Sequence, residues 1–147
     1  AAILRPQLAD LPRQIARWNA LYRTVEAGLR GVPGLTVIDR DAKETIVGSS
    51  IQFLLPGSQP GQIAHILGAC ADRGVELKWF GAAEPVAFTS RYDSWRYAPP
   101  QRLPKTDATL AGLIDMRLPL TFSQEDARLI AEIIRDEVSA ALPQAAE

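Results

Sequence analysis

The chain has 147 residues, of which 47% are hydrophobic and 22% charged, and its formal net charge is −1. These values are typical of one globular domain and give no whole-molecule field that would favour nucleic acid or a membrane surface. No apolar run is long enough to span a bilayer. Cys70 is the single cysteine, which excludes an internal disulfide, and with no signal-peptide pattern at the start we expect a cytoplasmic protein.

The first predicted element is a long amphipathic helix. Pro12 falls inside its pattern and predicts a kink or a restart near Leu11, with Asp10 as a possible cap. Gly31 is a typical residue at a helix end. Large apolar residues recur at steps of three or four, which places them on one helical face: Leu8, Leu11, Ile15, Trp18, Tyr22, Val25 and Leu29.

A strand–helix–strand unit is predicted next. Leu35–Ile38 and Ile46–Leu55 have strand patterns, and the second alternates apolar and polar residues from Ser50 onward. Pro60–Gly74 is predicted as a helix with an apolar stripe, and Val75–Phe80 as a third strand. This order indicates a small sheet covered by helices.

The C-terminal part is predicted to add two helices and one extended segment. Thr106 or Asp107 starts a short helix through Leu113, and Met116–Leu120 is extended. Ser123–Asp126 resembles a capping box before a last amphipathic helix. The predicted class is therefore α+β, with a long N-terminal helix, a small, mostly antiparallel sheet covered by helices, and a C-terminal amphipathic helix.

The segment Leu77–Arg102 is the strongest candidate for a binding site. It holds two of the three tryptophans and two of the three tyrosines, with three arginines and one lysine. Long loops inside compact domains are usually functional or disordered, and disordered segments are poor in aromatic residues. We therefore expect this segment to pack against something.

Arginine beside tryptophan suits a planar anion, a phosphate or a sugar face. The alternative is that the arginine stems only cover apolar surface, and the sequence leaves both interpretations open. The candidate substrate-binding residues are Lys78, Trp79, Arg91, Tyr92, Trp95 and Arg96.

The sequence contains no complete catalytic or metal-binding constellation. His65 is the only histidine, and no cysteine or histidine lies at metal-ligand spacing from it. Neither a dinucleotide-binding GxGxxG nor a Walker motif is present. Gly57–Gly61 could hold a phosphate at a helix start, although a plain strand-to-helix turn is the simpler interpretation. We predict no catalytic residue, no metal and no bound cofactor in this chain.

Several motifs, taken in order, resemble one family. Ala1–Leu8 (AAILRPQL) and Ile15–Tyr22 (IARWNALY) are similar to its entry helix, and Ile51–Pro56 (IQFLLP) to its first small-domain strand. Ile63–Phe80 is similar to its helix–turn–strand unit, and Asp115–Asp126 (DMRLPLTFSQED) to its ending. The family is DegT/DnrJ/StrS, the fold-type I sugar aminotransferases that use pyridoxal phosphate (PLP), and the resemblance is to their C-terminal small domain.

The resemblance implies a longer parent enzyme. Residues 1–31 would be a linking helix and residues 32–142 the α+β core of a single domain, 1–147. The implied partners are a missing N-terminal large domain, which carries the PLP-binding lysine, a small-molecule substrate and further copies in a homo-oligomer. The chain starts abruptly and without a helix cap, which agrees with a fragment of a longer protein. The isolated chain is predicted to be inactive.

One departure from the family limits what carries over. The family's third strand runs into a His-Tyr-Pro type segment near the substrate, whereas this chain has Leu77–Gly81 (LKWFG) there. Lys78 and Lys105 match no PLP-lysine motif. The rival interpretation is a free-standing module whose Arg/Trp/Tyr loop binds an anionic ligand or single-stranded nucleic acid, and the upstream reading frame would discriminate the two.

Overall fold

The computed structural model describes residues 4–41, 43–84, 96–97, 99 and 101–142. Within these residues the helices are α1 (Leu4–Leu29), α2 (Pro60–Asp72), α3 (Pro104–Ala111) and α4 (Gln124–Ala141), and the strands are β1 (Thr36–Val37), β2 (Ser50–Leu54), β3 (Lys78–Trp79) and β4 (Leu113–Arg117). The predicted α+β class is confirmed. None of the described helices is both long and apolar enough to cross a membrane.

The four strands form one antiparallel sheet in the order β1-β2-β4-β3. The register aligns Val37, Phe53, Ile114 and Trp79 in one row across all four strands. Residues directly opposite each other share a face of the sheet, so this row lies on the side that faces the core. The first three side chains are buried and Trp79, on the edge strand, is half-buried.

Helices α1, α2 and α4 supply most of the rest of the core. The predicted stripe of α2 is confirmed, since Ile63, Ile66 and Cys70 are fully buried. Helices α1 and α4 run parallel, as contacts from successive positions on each show: Thr24 Oγ1 hydrogen-bonds Gln124 Oε1 at 2.5 Å, and Gly28 lies against Ala131.

Helix α1 differs from the prediction at its first half. It runs unbroken from Leu4 to Leu29 through Pro12, so the expected restart at Leu11 is wrong. Asp10 is inside the helix and caps nothing: its carboxylate accepts hydrogen bonds from Arg13 (2.6 and 2.8 Å) and Gln14 (2.5 Å). A proline inside a helix removes one backbone hydrogen bond, and the helix here tolerates that loss.

Strand β2 is shorter than predicted because a helix side chain binds the residues before it. Asn19 of α1 donates to the Ile46 carbonyl at 3.0 Å and accepts from the Gly48 amide at 2.8 Å. Gly48 also touches the side chain of Tyr22, where an added Cβ would lie 2.5 Å from Tyr22 Cβ. The backbone at 46–48 is therefore bound to α1, and strand pairing begins only at Ser50.

The later elements also shift from their predicted bounds. Helix α3 ends at Ala111 and β4 begins at Leu113, whereas the sequence predicted helix through Leu113 and strand from Met116. The register explains this, since Leu113 pairs with Leu54 and Arg117 with Ser50. By contrast, the capping box of α4 is confirmed, with Ser123 as the N-cap.

Candidate functional site

An open groove of about 630 Å³ lies where β3 and β4 separate. The two strands pair only at Lys78–Asp115 and Trp79–Ile114. Before Lys78 and after Asp115 the two segments diverge, and the groove occupies the space between them. Its lining residues come from both strands, from α2 and α4 and from the connection between β4 and α4: Leu67, Gly74, Glu76, Leu77, Lys78, Trp79, Ala82, Asp115, Met116, Arg117, Pro119, Phe122 and Ile130.

The groove has an apolar floor between two charged sides. Leu67, Met116, Phe122 and Ile130 are buried or half-buried apolar lining residues. Glu76 and Lys78 lie on the β3 side, and Asp115 and Arg117 on the β4 side. An apolar floor with a few polar groups around it is the usual composition of a small-molecule site.

Lys78 is held on the edge of the groove. Its side chain is half-buried, and Nζ lies 5.4 Å from the centroid of the Phe80 ring, which is within cation–π distance. It aligns with Asp115 and Gln52 in a polar row across β3, β4 and β2. Gln52 Nε2 donates to Asp115 Oδ1 at 2.6 Å and to Ser50 Oγ at 2.8 Å. The first of these bonds holds the Asp115 carboxylate beside β3, the strand that carries Lys78.

Trp79 forms part of the groove wall, and its indole N–H donates a hydrogen bond within the protein. Nε1 donates to the Ala111 carbonyl at 2.8 Å, so the ring offers a ligand its face and edge and keeps that N–H occupied. A side chain at Gly81 would clash here, because a Cβ would lie 2.6 Å from Trp79 Nε1 and 2.8 Å from the Leu110 carbonyl oxygen. Glycine at position 81 therefore permits this indole position.

The structure brings together two of the six predicted site residues. Lys78 and Trp79 both line the groove. Arg96 is exposed in a turn. Arg91, Tyr92 and Trp95 lie outside the described residues, so their assignment stays a prediction.

The groove residues that the sequence argument missed include Asp115, Arg117 and Phe122. Asp115 and Arg117 alternate with the buried Ile114 and Met116, and this alternation could have indicated two charges on one side of a strand. Phe122 carries no comparable signal, because its place in the groove depends on how the segment before α4 folds back.

His65 and Cys70 both lie outside the lining of the groove. His65 is exposed on α2. Cys70 is fully buried, and burial raises the pKa of its thiol to about 11, so the nucleophilic thiolate is scarce at neutral pH. Among the described residues no three histidine, cysteine, aspartate or glutamate side chains are grouped to hold a metal ion.

The chain belongs to a known enzyme family. The sequence profile of the DegT/DnrJ/EryC1/StrS aminotransferase family matches residues 1–135. No curated protein sequence matches the chain.

Several solved structures have a similar fold. The aminotransferase TlmJ from Streptoalloteichus hindustanus is 18% identical with a TM-score of 0.75, over 92% of this chain and 35% of that one. A 3-amino-5-hydroxybenzoic acid synthase is 22% identical with a TM-score of 0.72, over 94% and 38%. DesV from S. venezuelae is 18% identical with a TM-score of 0.70, over 99% and 36%. The chain thus spans little more than a third of the length of each.

Proposed function

We propose that this chain is the C-terminal small domain of a PLP-dependent aminotransferase that acts on a sugar or a related keto substrate. The observation that carries the proposal is the family match over residues 1–135 together with the coverage of only 35% of TlmJ. In this proposal residues 1–31 link the two domains and residues 32–142 form the core. The parent is further proposed to be a cytoplasmic homo-oligomer.

The groove residues do not fit PLP by themselves. Lys78 is the one lysine among the lining residues that the structure describes, and its ammonium packs over Phe80. PLP enzymes hold their cofactor covalently through a lysine, and the cofactor supplies the electron sink for the chemistry. We therefore place PLP and its lysine in the part of the parent enzyme outside this chain.

The role proposed for the groove is to hold one side of the substrate. Its apolar floor can pack against a ring, and the guanidinium of Arg117 and the ammonium of Lys78 can donate to anionic or hydroxyl oxygens. Glu76 and Asp115 can accept from hydroxyl groups. The loop that carries Arg91 and Arg96 is proposed to extend this wall, and Arg91 or Arg96 is proposed to meet an anionic group of the substrate.

Steady-state kinetics of the full parent enzyme test the proposal. Replacing Lys78 or Arg117 with Ala is expected to raise KM by about one to two decades with little change in kcat, because a charged hydrogen bond contributes roughly 1.5–3 kcal/mol to binding. Lys105→Ala is the matched control, since this exposed lysine lies on α3 outside the groove. Unchanged KM in both groove variants would show that the groove does not contact the substrate.

The same design applies to the loop arginines. Arg91→Ala and Arg96→Ala, made singly, are expected to raise KM by about one to two decades. If instead the melting temperature falls in both while the kinetics at a permissive temperature stay unchanged, these arginines only cover apolar surface and the loop is structural.

A further inference from the structure

One apolar stripe runs the whole length of α1 with regular spacing. Its members follow strict alternate steps of four and three residues: Leu4, Leu8, Leu11, Ile15, Trp18, Tyr22, Val25 and Leu29. This is the seven-residue repeat by which helices pair in a left-handed crossing of about 20°. The spacing is the same in the buried and in the exposed part of the helix.

The exposed fraction of the stripe residues falls along the helix from its N-terminal to its C-terminal end. Tyr22, Val25 and Leu29 are 2%, 0% and 0% exposed, whereas Leu4 is 59% and Leu8 is 65% exposed. The cause is the position of α4, which runs beside α1 but begins only at Gln124, opposite Thr24. The segment from Leu4 to Ile15, here called the arm, therefore lies wholly before the start of α4 and is about 18 Å long, at 1.5 Å per residue.

The side of the arm away from the stripe is exposed to solvent. Asp10 and Arg13 form an ion pair of 2.6 Å on it, and the side chains of both reach solvent. Ala9, also exposed, lies on this side of the helix, away from the stripe. Among the described residues of the arm, the exposed large apolar side chains are therefore the leucines of the stripe.

We propose that, in the parent enzyme, the stripe of the arm packs against a helix from the part of the same polypeptide outside this chain, in the left-handed geometry that its spacing favours. The inference rests on the proposed function, because it requires a longer parent. It adds the surface, the residues and the geometry of the contact between the two parts.

The area of the stripe favours a linked partner over a second copy. Three partly exposed leucines offer a few hundred square ångströms, below the roughly 800 Å² per partner of a stable interface between separate molecules. A helix of the same polypeptide is present at an effective concentration on the order of millimolar or more, so a smaller contact suffices. The stripe is also continuous with the buried α1–α4 contact, which a docked helix would simply extend.

Cysteine accessibility in the full parent enzyme tests the contact. Leu8→Cys and Ala9→Cys introduce thiols at adjacent positions about 100° apart around the helix axis, one on the stripe and one off it. The parent without an added cysteine gives the background reaction with a maleimide. In the 147-residue chain both thiols are expected to react at similar rates. In the parent, Leu8→Cys is expected to react about tenfold or more slowly than Ala9→Cys, because only position 8 becomes buried.

Equal labelling of the two thiols in the parent would overturn the proposal. Protection of Leu8→Cys that disappears on dilution would also overturn it, since the occupant would then be a second copy. Amide hydrogen exchange of residues 5–12 in the unsubstituted proteins repeats the comparison without a mutation, and exchange in the parent as fast as in the 147-residue chain counts against docking. PLP binding by the parent is scored separately, so protection of position 8 without PLP binding refutes the enzymatic assignment and leaves the contact intact.

Discussion

Gly28 of α1 and Ala131 of α4 approach so closely that a Cβ on Gly28 would lie 2.6 Å from the Ala131 Cβ. The absence of a side chain at position 28 is what allows the two parallel helices to touch. This contact sets the position of α4 along α1. The buried part of the α1 stripe therefore lies beside α4, and the arm lies before the start of α4.

Substituting this glycine is expected to separate the helices. Gly28→Ala should lower the free energy of unfolding by about 1–3 kcal/mol, since overpacking outweighs the gain in helix propensity. Gly68 of α2 is the matched control because an added Cβ there meets nothing within 4 Å. Gly68→Ala should therefore stabilise the chain by roughly 0.5–1 kcal/mol. Urea denaturation measures the free energy of unfolding of both variants. A stabilising effect of Gly28→Ala would show that α1 and α4 are further apart than described.

The hydrogen bond from Trp79 to Ala111 ties the edge strand of the groove to the end of α3. Trp79→Phe removes that bond and is expected to cost about 1 kcal/mol of stability beyond the loss of ring area. Trp18→Phe makes the same chemical change at an indole that has no hydrogen-bond partner among the described residues, so it measures the area term alone. Equal losses in denaturation of the two variants would mean that the bond contributes nothing.

The cap of α4 makes stability depend on acid pH. The Ser123 backbone N–H (2.7 Å) and then its hydroxyl (2.8 Å) bind the Asp126 carboxylate and hold its pKa below the ordinary value of 3.8. A carboxyl whose pKa is lower in the folded state stabilises the fold above its ordinary pKa, and this contribution is lost as the pH falls through the lowered value.

Asp126→Asn should therefore be less stable than the unsubstituted chain at neutral pH, and the difference should shrink as the pH falls through the lowered pKa. Glu125→Gln removes a charge from the same first turn without touching Ser123 and serves as the control. Denaturation curves across the acid range supply the comparison. A difference for Asp126→Asn that stays constant down to the lowest pH would refute the cap assignment.

Local patterns predicted the helices better than the sheet. The stripe of α2 and the Ser123 cap of α4 depend on residues a few positions apart, so the sequence contains all that is needed to find them. The start of β2 depends on Asn19, which binds Ile46 and Gly48 from nearly thirty residues away. No local pattern encodes that contact, and the predicted strand was too long for this reason.

The sequence predicted one side of the candidate site and missed the other. Lys78 and Trp79 were named because aromatic and cationic residues are adjacent in the sequence, and both line the groove. The opposite side, with Asp115 and Arg117, depends on the antiparallel register of β3 against β4. That register brings together residues almost forty positions apart, and composition alone cannot reveal it.

The most direct test of the central claim compares PLP binding by the parent enzyme and by the 147-residue chain. Each is incubated with PLP and treated with borohydride, and the modified lysine is located by mass spectrometry. The account predicts one stoichiometric, reducible adduct in the parent, on a lysine outside residues 1–147, and none in the isolated chain. A stoichiometric adduct on Lys78 or Lys105, or a parent that binds no PLP, would contradict the account.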